Sequence, residues 1–374
     1  MAEPIRAILL SIGSELLAGE TVDTNAAFLA GRLSRLGFAV VTVRQLPDDR
    51  AVIARAVADA RAQAPLILAT GGLGPTHDDL TREAVADALG EDLYADPELE
   101  AALRDRFGGS GQMPRSNLRQ ARRIASSEIV ANPIGSAPGW WVDRDGAVLA
   151  LMPGVPSEMR RMFDQQLAPR LRARFAPATL HVRTVKTFGI GESAVADLLG
   201  DLLEHPGDGV GAGIYARDDG VHLRFVGPEA GPVEAAALRA REALGDAVWG
   251  GDADDLGSAA LAACARAGAQ SVASWEADTH GALLAILAGV PQREGLATYV
   301  GGLLDAGGAA SAPVADAVIQ LSLLPQDAHG RSRVRVSMSG RVAMRPTELR
   351  THGSGDQRLR RAAYAALDAI RRLA

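Results

Sequence analysis

LILATGGLGPTHDDLT, residues 66–81, is the stretch on which the fold turns. Its first five residues are apolar without interruption, the pattern of a short strand covered on both faces. Three glycines follow (Gly71, Gly72, Gly74), then the pair Asp78-Asp79, then a helical pattern over 80–89. A strand, a Gly-rich turn and a helix in that order is half of a parallel βαβ unit.

The same alternation extends outward on both sides. Strands are predicted at 7–12 and 38–43, with helices at 25–36 (stopped by Gly37) and 49–63 between and after them. Downstream come helices at 97–107 and 115–123 and a hairpin of 140–142 with 147–152 around Asp145-Gly146. A closing helix is predicted at 158–174. The fold class is therefore α/β, with a doubly wound, mainly parallel sheet over residues 1–174. Phe175-Ala176-Pro177 reads as a linker, and residues 178–250 as a small α+β module whose hairpin turns at Asp219-Gly220. A second linker, GGDADDLG, leads to an Ala-rich α/β domain at 255–374. It ends in an amphipathic helix, 357–373, with Leu359, Ala363, Leu367 and Ile370 on one face.

Composition narrows the function. The chain has 374 residues, enough for two or three domains, with 47% hydrophobic and 22% charged residues. A net charge of -6 argues against a broad nucleic-acid surface. The lone Cys264 excludes an intrachain disulfide and fits a cytoplasmic location. No apolar run approaches the roughly 18 residues of a membrane span, so neither nucleic acid nor membrane is an expected partner.

Four segments carry possible chemistry. At the Gly71–Gly74 turn, unpaired amides and the positive end of a helix suit a phosphate; the plain alternative is a tight turn with Asp79 as the helix cap. ALMPGVPSE, residues 150–158, repeats the layout with Gly154, Ser157 and Glu158, and here the plain alternative has Ser157 as the cap. SIGSELLAGETVDTN, 11–25, contributes Glu15, Asp23 and Asn25, of which Asp23 or Asn25 alternatively caps a helix. NPIGSAPGWW, 132–141, offers Asn132, Gly135 and Ser136, with Trp140 and Trp141 read as core residues. In the middle module, FGIGES presents Ser193 and helix amides, either to an anion or as an ordinary helix start.

Taken together, GSELLAGETVDTNAAFLA, TGGLGPTHDDLTREAVA, MPRSNLRQA, NPIGSAPG, MPGVPSEMRRMF and FGIGES resemble the CinA family of competence/damage-inducible proteins. Its first domain is similar to the molybdopterin-binding domain of MogA and MoeA. The resemblance implies an ADP-ribose pyrophosphatase that yields AMP and ribose 5-phosphate with a divalent metal (Mg or Co) and potassium, in a homodimer. It implies ligand contacts at Asp23 and Asn25 in the first turn, Asp79 after the glycines, and Gly154, Pro156 and Glu158 in the last. On that reading Asp79, Glu158 and Asp23 are the catalytic candidates, and Asp79, Asp78 and Asp23 the metal candidates. Gly71, Gly72, Gly74, Thr76, Asn25, Asn132, Gly135, Ser136, Gly154 and Ser157 hold ligand or phosphate. Which carboxylate is the base stays open.

The resemblance breaks in the last domain. The family's nicotinamide mononucleotide deamidase motif, A-E-S-C-T-G-G, here reads A-D-T-H-G after Glu276. Glu276, Thr279 and Gly281 survive, while Ala277 and Asp278 replace the serine and cysteine. Alanine carries no nucleophile. A later Gly-rich loop reads SLLPQDAHG, 322–330. The expectation is a deamidase-like domain without the activity. A non-catalytic molybdopterin or nucleotide binder, and a residual deamidase, are the alternatives.

Overall fold

The computed structural model describes residues 4–108, 113–177, 180–305, 314–326 and 332–373. The chain forms two compact units, Met1–Leu180 and His181–Ala374.

The first unit runs β1 (Ile5–Ile12), α1 (Ser14–Leu17), α2 (Thr24–Arg35), β2 (Phe38–Leu46), α3 (Arg50–Gln63), β3 (Leu66–Thr70), α4 (Thr81–Leu89), β4 (Tyr94–Ala95) and α5 (Pro97–Arg106). It continues with a 3₁₀ turn at Arg115–Ala121, β5 (Arg122–Arg123), β6 (Ser127–Val130), β7 (Gly139–Arg144), β8 (Ala147–Met152), α6 (Pro156–Met162) and α7 (Ala168–Phe175). Six strands make one sheet in the order β2-β1-β3-β8-β7-β6. The first four are parallel and the β8–β7–β6 meander is antiparallel, so the sheet is mainly parallel as read from the alternation. All five residues of β3 are buried, at the centre of the sheet. Ile8, Leu10 and Ile67 face one apolar layer and Ala7, Leu9 and Leu68 the other, which is the doubly wound arrangement.

Local chemistry explains the details. Asp145 (φ 55°) and Gly146 (φ 79°) both take positive φ, as a two-residue hairpin turn demands. Trp140 and Trp141 are buried, one in each layer, and act as core. The predicted helix 115–123 is instead a 3₁₀ turn ending in a strand. Asn117 and Gln120, three apart, bury the same side, and Arg122–Arg123 pairs with Tyr94–Ala95. The predicted helix 158–174 begins two residues earlier, at Pro156, and widens into a π-turn at Phe163–Leu167. Pro169, which has no N–H and crowds the preceding turn, follows that widening.

The second unit opens with β9 (His181–Thr187), α8 (Glu192–Glu204), β10 (Gly211–Arg217), β11 (Gly220–Gly227), α9 (Ala230–Leu244) and β12 (Val248–Gly251), an antiparallel sheet ordered β10-β11-β9-β12 under two helices. There follow α10 (Leu256–Arg266), β13 (Ser271–Ala277), α11 (Ala282–Ala288), β14 (Thr298–Asp305), β15 (Ala317–Leu324), β16 (Ser332–Gly340), β17 (Met344–Thr351) and α12 (Gly355–Arg371). These strands order as β14-β13-β15-β16-β17. Ala363, Leu367 and Ile370 of α12 are fully buried, as its apolar stripe predicts. The segment read as the second linker is not loose. Asp252 accepts from Thr184 N–H (2.8 Å), Asp254 from Gly251 N–H (2.9 Å), and Asp255 caps α10 through Ser258 N–H (2.6 Å). Part of the 322–330 loop, residues 327–330, lies outside the described residues. Among the described residues no helix is long and apolar enough to cross a membrane.

Candidate functional site

Parallel strands end at one edge, and their following turns gather there. The turns after β1, β2, β3 and β8 line a cleft of about 430 Å³.

The β3 turn is built by glycine and by Asp79. Gly71 takes φ 101°, and a Cβ there would lie 2.0 Å from Ile12 O; at Gly72 it would lie 2.2 Å from Thr81 Oγ1. Thr81, fully buried, closes the turn by donating Oγ1–H to Gly71 O (2.9 Å). Asp79 accepts from Gly74 N–H (2.7 Å), Thr76 N–H (2.9 Å) and Thr76 Oγ1–H (2.5 Å). It therefore folds the loop back on itself and is not the cap of α4, whose N-cap is Leu80. Arg82, 3% exposed, donates to Leu73 O and Pro138 O (both 2.9 Å) and fastens this turn to the 132–138 loop. Burial pushes its guanidinium down to about 10. Arg119 donates to Thr76 O, Asp79 O and Glu83 from the other side.

The turn after β8 sits against the first: Gly154 approaches Gly71 so closely that a Cβ would lie 3.4 Å from its Cα. Val155 is the N-cap of α6 and Pro156 its first residue, so Ser157 does not cap; it is exposed and does not line the cleft. Glu158 accepts from Asn132 Nδ2 (2.7 Å), and Asn132 Oδ1 accepts from Gly135 N–H (2.8 Å). A Cβ on Gly135 would strike Glu158 Oε2 at 2.0 Å. Asn132 and Gly135 thereby organise Glu158 from a neighbouring recess and do not line the cleft. Thr76 likewise serves the carboxylates of its own loop and does not line the cleft.

Asp23 caps α2 by accepting from Ala26 N–H (2.9 Å), and Asn25 donates to Gly154 O (2.7 Å). Both line a side recess of about 100 Å³, and Asp23 Oδ2 and Asn25 Oδ1 are buried without a partner. The expected metal trio of Asp23, Asp78 and Asp79 is not brought together: Asp23 belongs to this recess and both Asp79 oxygens serve the loop. Among the described residues no three His, Cys, Asp or Glu side chains converge as a metal cage.

Of the expected residues, Gly71, Gly72, Gly74, Asp78, Asp79, Ser136, Gly154 and Glu158 do line the cleft. Two residues that sequence reasoning missed also line it. Asp48, at the end of β2, accepts from Ser14 N–H and Oγ–H (both 2.8 Å). Gln120, 1% exposed, turns a partnerless Oε1 inward. The carboxylates in the wall are Glu15, Asp48, Asp78, Asp79 and Glu158, and among the described residues no Lys or Arg joins them. The Thr76 hydroxyl, above all, and a backbone amide hold the Asp78 carboxyl below its usual range. Backbone amides facing a carboxylate-rich wall suit an anion that arrives with cations.

The corresponding turn of the second unit is closed. Glu276, 1% exposed, accepts from Thr279 Oγ1–H (2.7 Å), Leu283 N–H (2.9 Å) and Leu284 N–H (2.7 Å), and so caps α11. Ala277 offers no nucleophile. Asp278 (φ 60°) and His280 (φ 50°) are exposed on a left-handed turn.

Residues 8–173 match the family model described as "Probable molybdopterin binding domain", and residues 182–250 match the damage-inducible protein CinA KH domain. A CinA-like protein of Deinococcus deserti is 39% identical over 291 residues, 76% of this chain and 71% of the relative. The chain belongs to the CinA-like family. A CinA-like protein of Thermomicrobium roseum is 46% identical over 271 residues, covering 70% of this chain and 66% of its own length. This CinA-like chain thus aligns with about two thirds of the length of these relatives. A solved CinA structure from Thermoplasma acidophilum, described as of unknown function, matches at 33% identity with a TM-score of 0.43, covering 44% of this chain and 98% of its own.

Proposed function

We propose that the first unit is a divalent-metal-dependent nucleotide pyrophosphatase that splits ADP-ribose into AMP and ribose 5-phosphate. One observation carries the reading: five carboxylates and the Gly72–Leu73 amides share a cleft of about 430 Å³ that, among the described residues, no cationic side chain lines. That volume suits a nucleotide-sized ligand. A pyrophosphate alone would be repelled by such a wall. Magnesium-like ions, by contrast, are commonly held by one or two carboxylates together with substrate phosphates rather than by a protein cage. Asp48, Asp78 and Glu15 are the residues suited to hold such an ion, with potassium as a further requirement. When bound, it would neutralise phosphate charge and acidify a water.

The chain's own groups do the rest. The Gly72 and Leu73 amides, which have no acceptor among the described residues, hold phosphate oxygens. Asp79 keeps that loop in shape. A water oxygen forms the new bond to one phosphorus, the bridging P–O bond breaks, and its electron pair leaves with the other phosphate. The water's proton passes to a wall carboxylate, for which Glu158, fixed by Asn132, is suited. The partnerless acceptors of Asp23, Asn25 and Gln120 suit ribose hydroxyls or an amino group of the ligand.

The test is AMP release from ADP-ribose by the full chain with magnesium or cobalt and potassium. Turnover that is lost in Asp48→Asn supports the reading; no release above that variant sinks it. Tight nucleotide binding without product would favour the non-catalytic reading, which the engagement of both Asp79 oxygens supports. We further propose that the second unit is not a nicotinamide mononucleotide deamidase. Ammonia release from that compound by the full chain would overturn this. Residence in the cytoplasm and a homodimer belong to the same proposal.

A further inference from the structure

The proposed chemistry leaves unused the cavity of about 450 Å³ in the second unit. Its floor is the 188–192 turn between β9 and α8, and its walls are the β10–β11 hairpin and the end of β17. Its charge is the reverse of the acidic cleft: Arg217, Arg350 and Arg361 line it, against Glu192 and Asp218. Asp218 is already answered, 2.7 Å from Arg360 and 3.8 Å from Arg361. Arg217 and Arg350 have no carboxylate or hydrogen-bond partner among the described residues. Two unneutralised guanidiniums lining one cavity are an anion-binding feature.

Three further observations point the same way. Helix α8, of 13 residues, starts at Gly191 with no side-chain cap, and its first amide bonded within the helix is Val195 N–H. The amides before it are therefore free for a ligand at the positive end of the helix. Thr351, only 7% exposed, also lines the cavity, and its hydroxyl has no partner among the described residues. Burial first, and then the nearby Arg361, push His352 below the usual imidazole value. Phe188, Ile190 and Val221 give the remaining wall an apolar character suited to an organic group.

We propose that this cavity binds a small phosphate monoester. Its phosphate would be held by Arg217, Arg350 and the amides of α8, and its organic part would lie toward Phe188. A dianion with three acceptor oxygens matches two fork-shaped donors plus a helix end better than a carboxylate does. A cavity of about 450 Å³ fits a sugar-sized ester.

The test is calorimetric titration of the full chain with glycerol 3-phosphate, with EDTA present so that the acidic cleft holds no divalent ion, and with glycerol as the uncharged control. Saturable binding of the ester alone is expected. The double variant Arg217→Gln/Arg350→Gln should bind about tenfold more weakly or worse. Arg345→Gln, an exposed arginine of β17 outside the cavity, and Asp79→Asn in the other unit should bind unchanged. The arginines tested are exposed, so folding should survive. Four results would each overturn the proposal: no saturation at millimolar ester, unchanged binding by the double variant, equal weakening by Arg345→Gln, or tighter capture of a single-stranded RNA oligonucleotide than of the ester.

Discussion

The turn after β3 and the turn after β13 share their parts: each runs from a buried parallel strand through glycine to a helix and holds an acid nearby. They differ in where the acid is spent. Asp79 binds donors of its own loop, Gly74 N–H among them, leaving the Gly72 and Leu73 amides without an acceptor among the described residues and the neighbouring Asp78 at the cleft. Glu276 binds the helix itself, taking Leu283 N–H and Leu284 N–H and a buried threonine hydroxyl. The helix end that would greet an anion is filled by the protein's own carboxylate. An acid that shapes the loop keeps the site open; an acid that caps the helix closes it.

Exchanging or removing the two acids breaks this comparison most sharply. Asp79→Ala should lower ADP-ribose turnover by about 10²–10³-fold, since displaced loop donors misplace the phosphate. Asp79→Asn, which keeps one acceptor oxygen, should fall between that and the parent; kcat and KM measured together decide it. Glu276→Ala should leave turnover within about twofold but destabilise the second unit. Three donors to a buried carboxylate lose their acceptor there, at a cost of about 2–3 kcal/mol by denaturant titration. Ala277→Ser at the same turn should yield no ammonia from nicotinamide mononucleotide, because the adjacent acid remains committed to α11.

Much of the first unit was legible because its signals are local. Five apolar residues at 66–70, the Asp145-Gly146 turn and the spacing of glycines each report their own backbone. Asp48 escaped because Asp49 beside it supplies an ordinary helix cap, to Ala51 N–H and Val52 N–H at 2.9 Å. Only the pairing of β2 beside β1 reveals that Asp48 ends at the cleft. Gln120 and Arg82 were invisible for a similar reason: one hangs from a 3₁₀ turn, and the other sits in an ordinary helical pattern. Asp79 and Ser157 were both open to a capping reading from sequence. Competition between a side chain and nearby backbone donors is settled by loop geometry, which short-range patterns do not encode. The segment at 250–257 read as a linker because Gly and Asp are turn residues, yet its aspartates find donors on β9, on β12 and in α10.

A smaller effect tests how far the open turn depends on its scaffold. Arg82 bridges Leu73 O and Pro138 O from a fully buried position. Arg82→Met keeps the volume and removes the charge that burial disfavours but leaves two carbonyls without their donor, so stability should fall by about 1–3 kcal/mol while the fold is kept. The two loops it joins would lose their register, and turnover should drop by about tenfold, mostly in kcat. A variant that unfolds the first unit while its residual activity per folded molecule is normal would make Arg82 a stability element and nothing more.

The smallest effect concerns the far end of the same helix. Helix α4 leaves the glycine turn and is held behind it by Asp87, which takes two bonds from Arg50 (both 2.6 Å). Glu91 follows it, bonded by Ser126 N–H (3.0 Å), Ser126 Oγ–H (2.5 Å) and Arg144 (2.9 Å). The Arg50 guanidinium holds the Asp87 carboxyl below its usual value. For Glu91, burial pulls upward, but the bonds from Ser126 and Arg144 win and the net shift is downward. Carboxylates lowered in the folded state lend stability that is complete above their ordinary values and is lost as pH falls through the folded ones. Thermal midpoints of the first unit should therefore be level from pH 7 to about 5 and fall below about 4. Asp87→Asn with Glu91→Gln should lower the midpoint at neutral pH by about 1–3 °C, the pairs being partly exposed, and flatten the acid decline. An unchanged decline would mean that other carboxylates, not the anchors of α4, set the acid limit of the helix that opens the site.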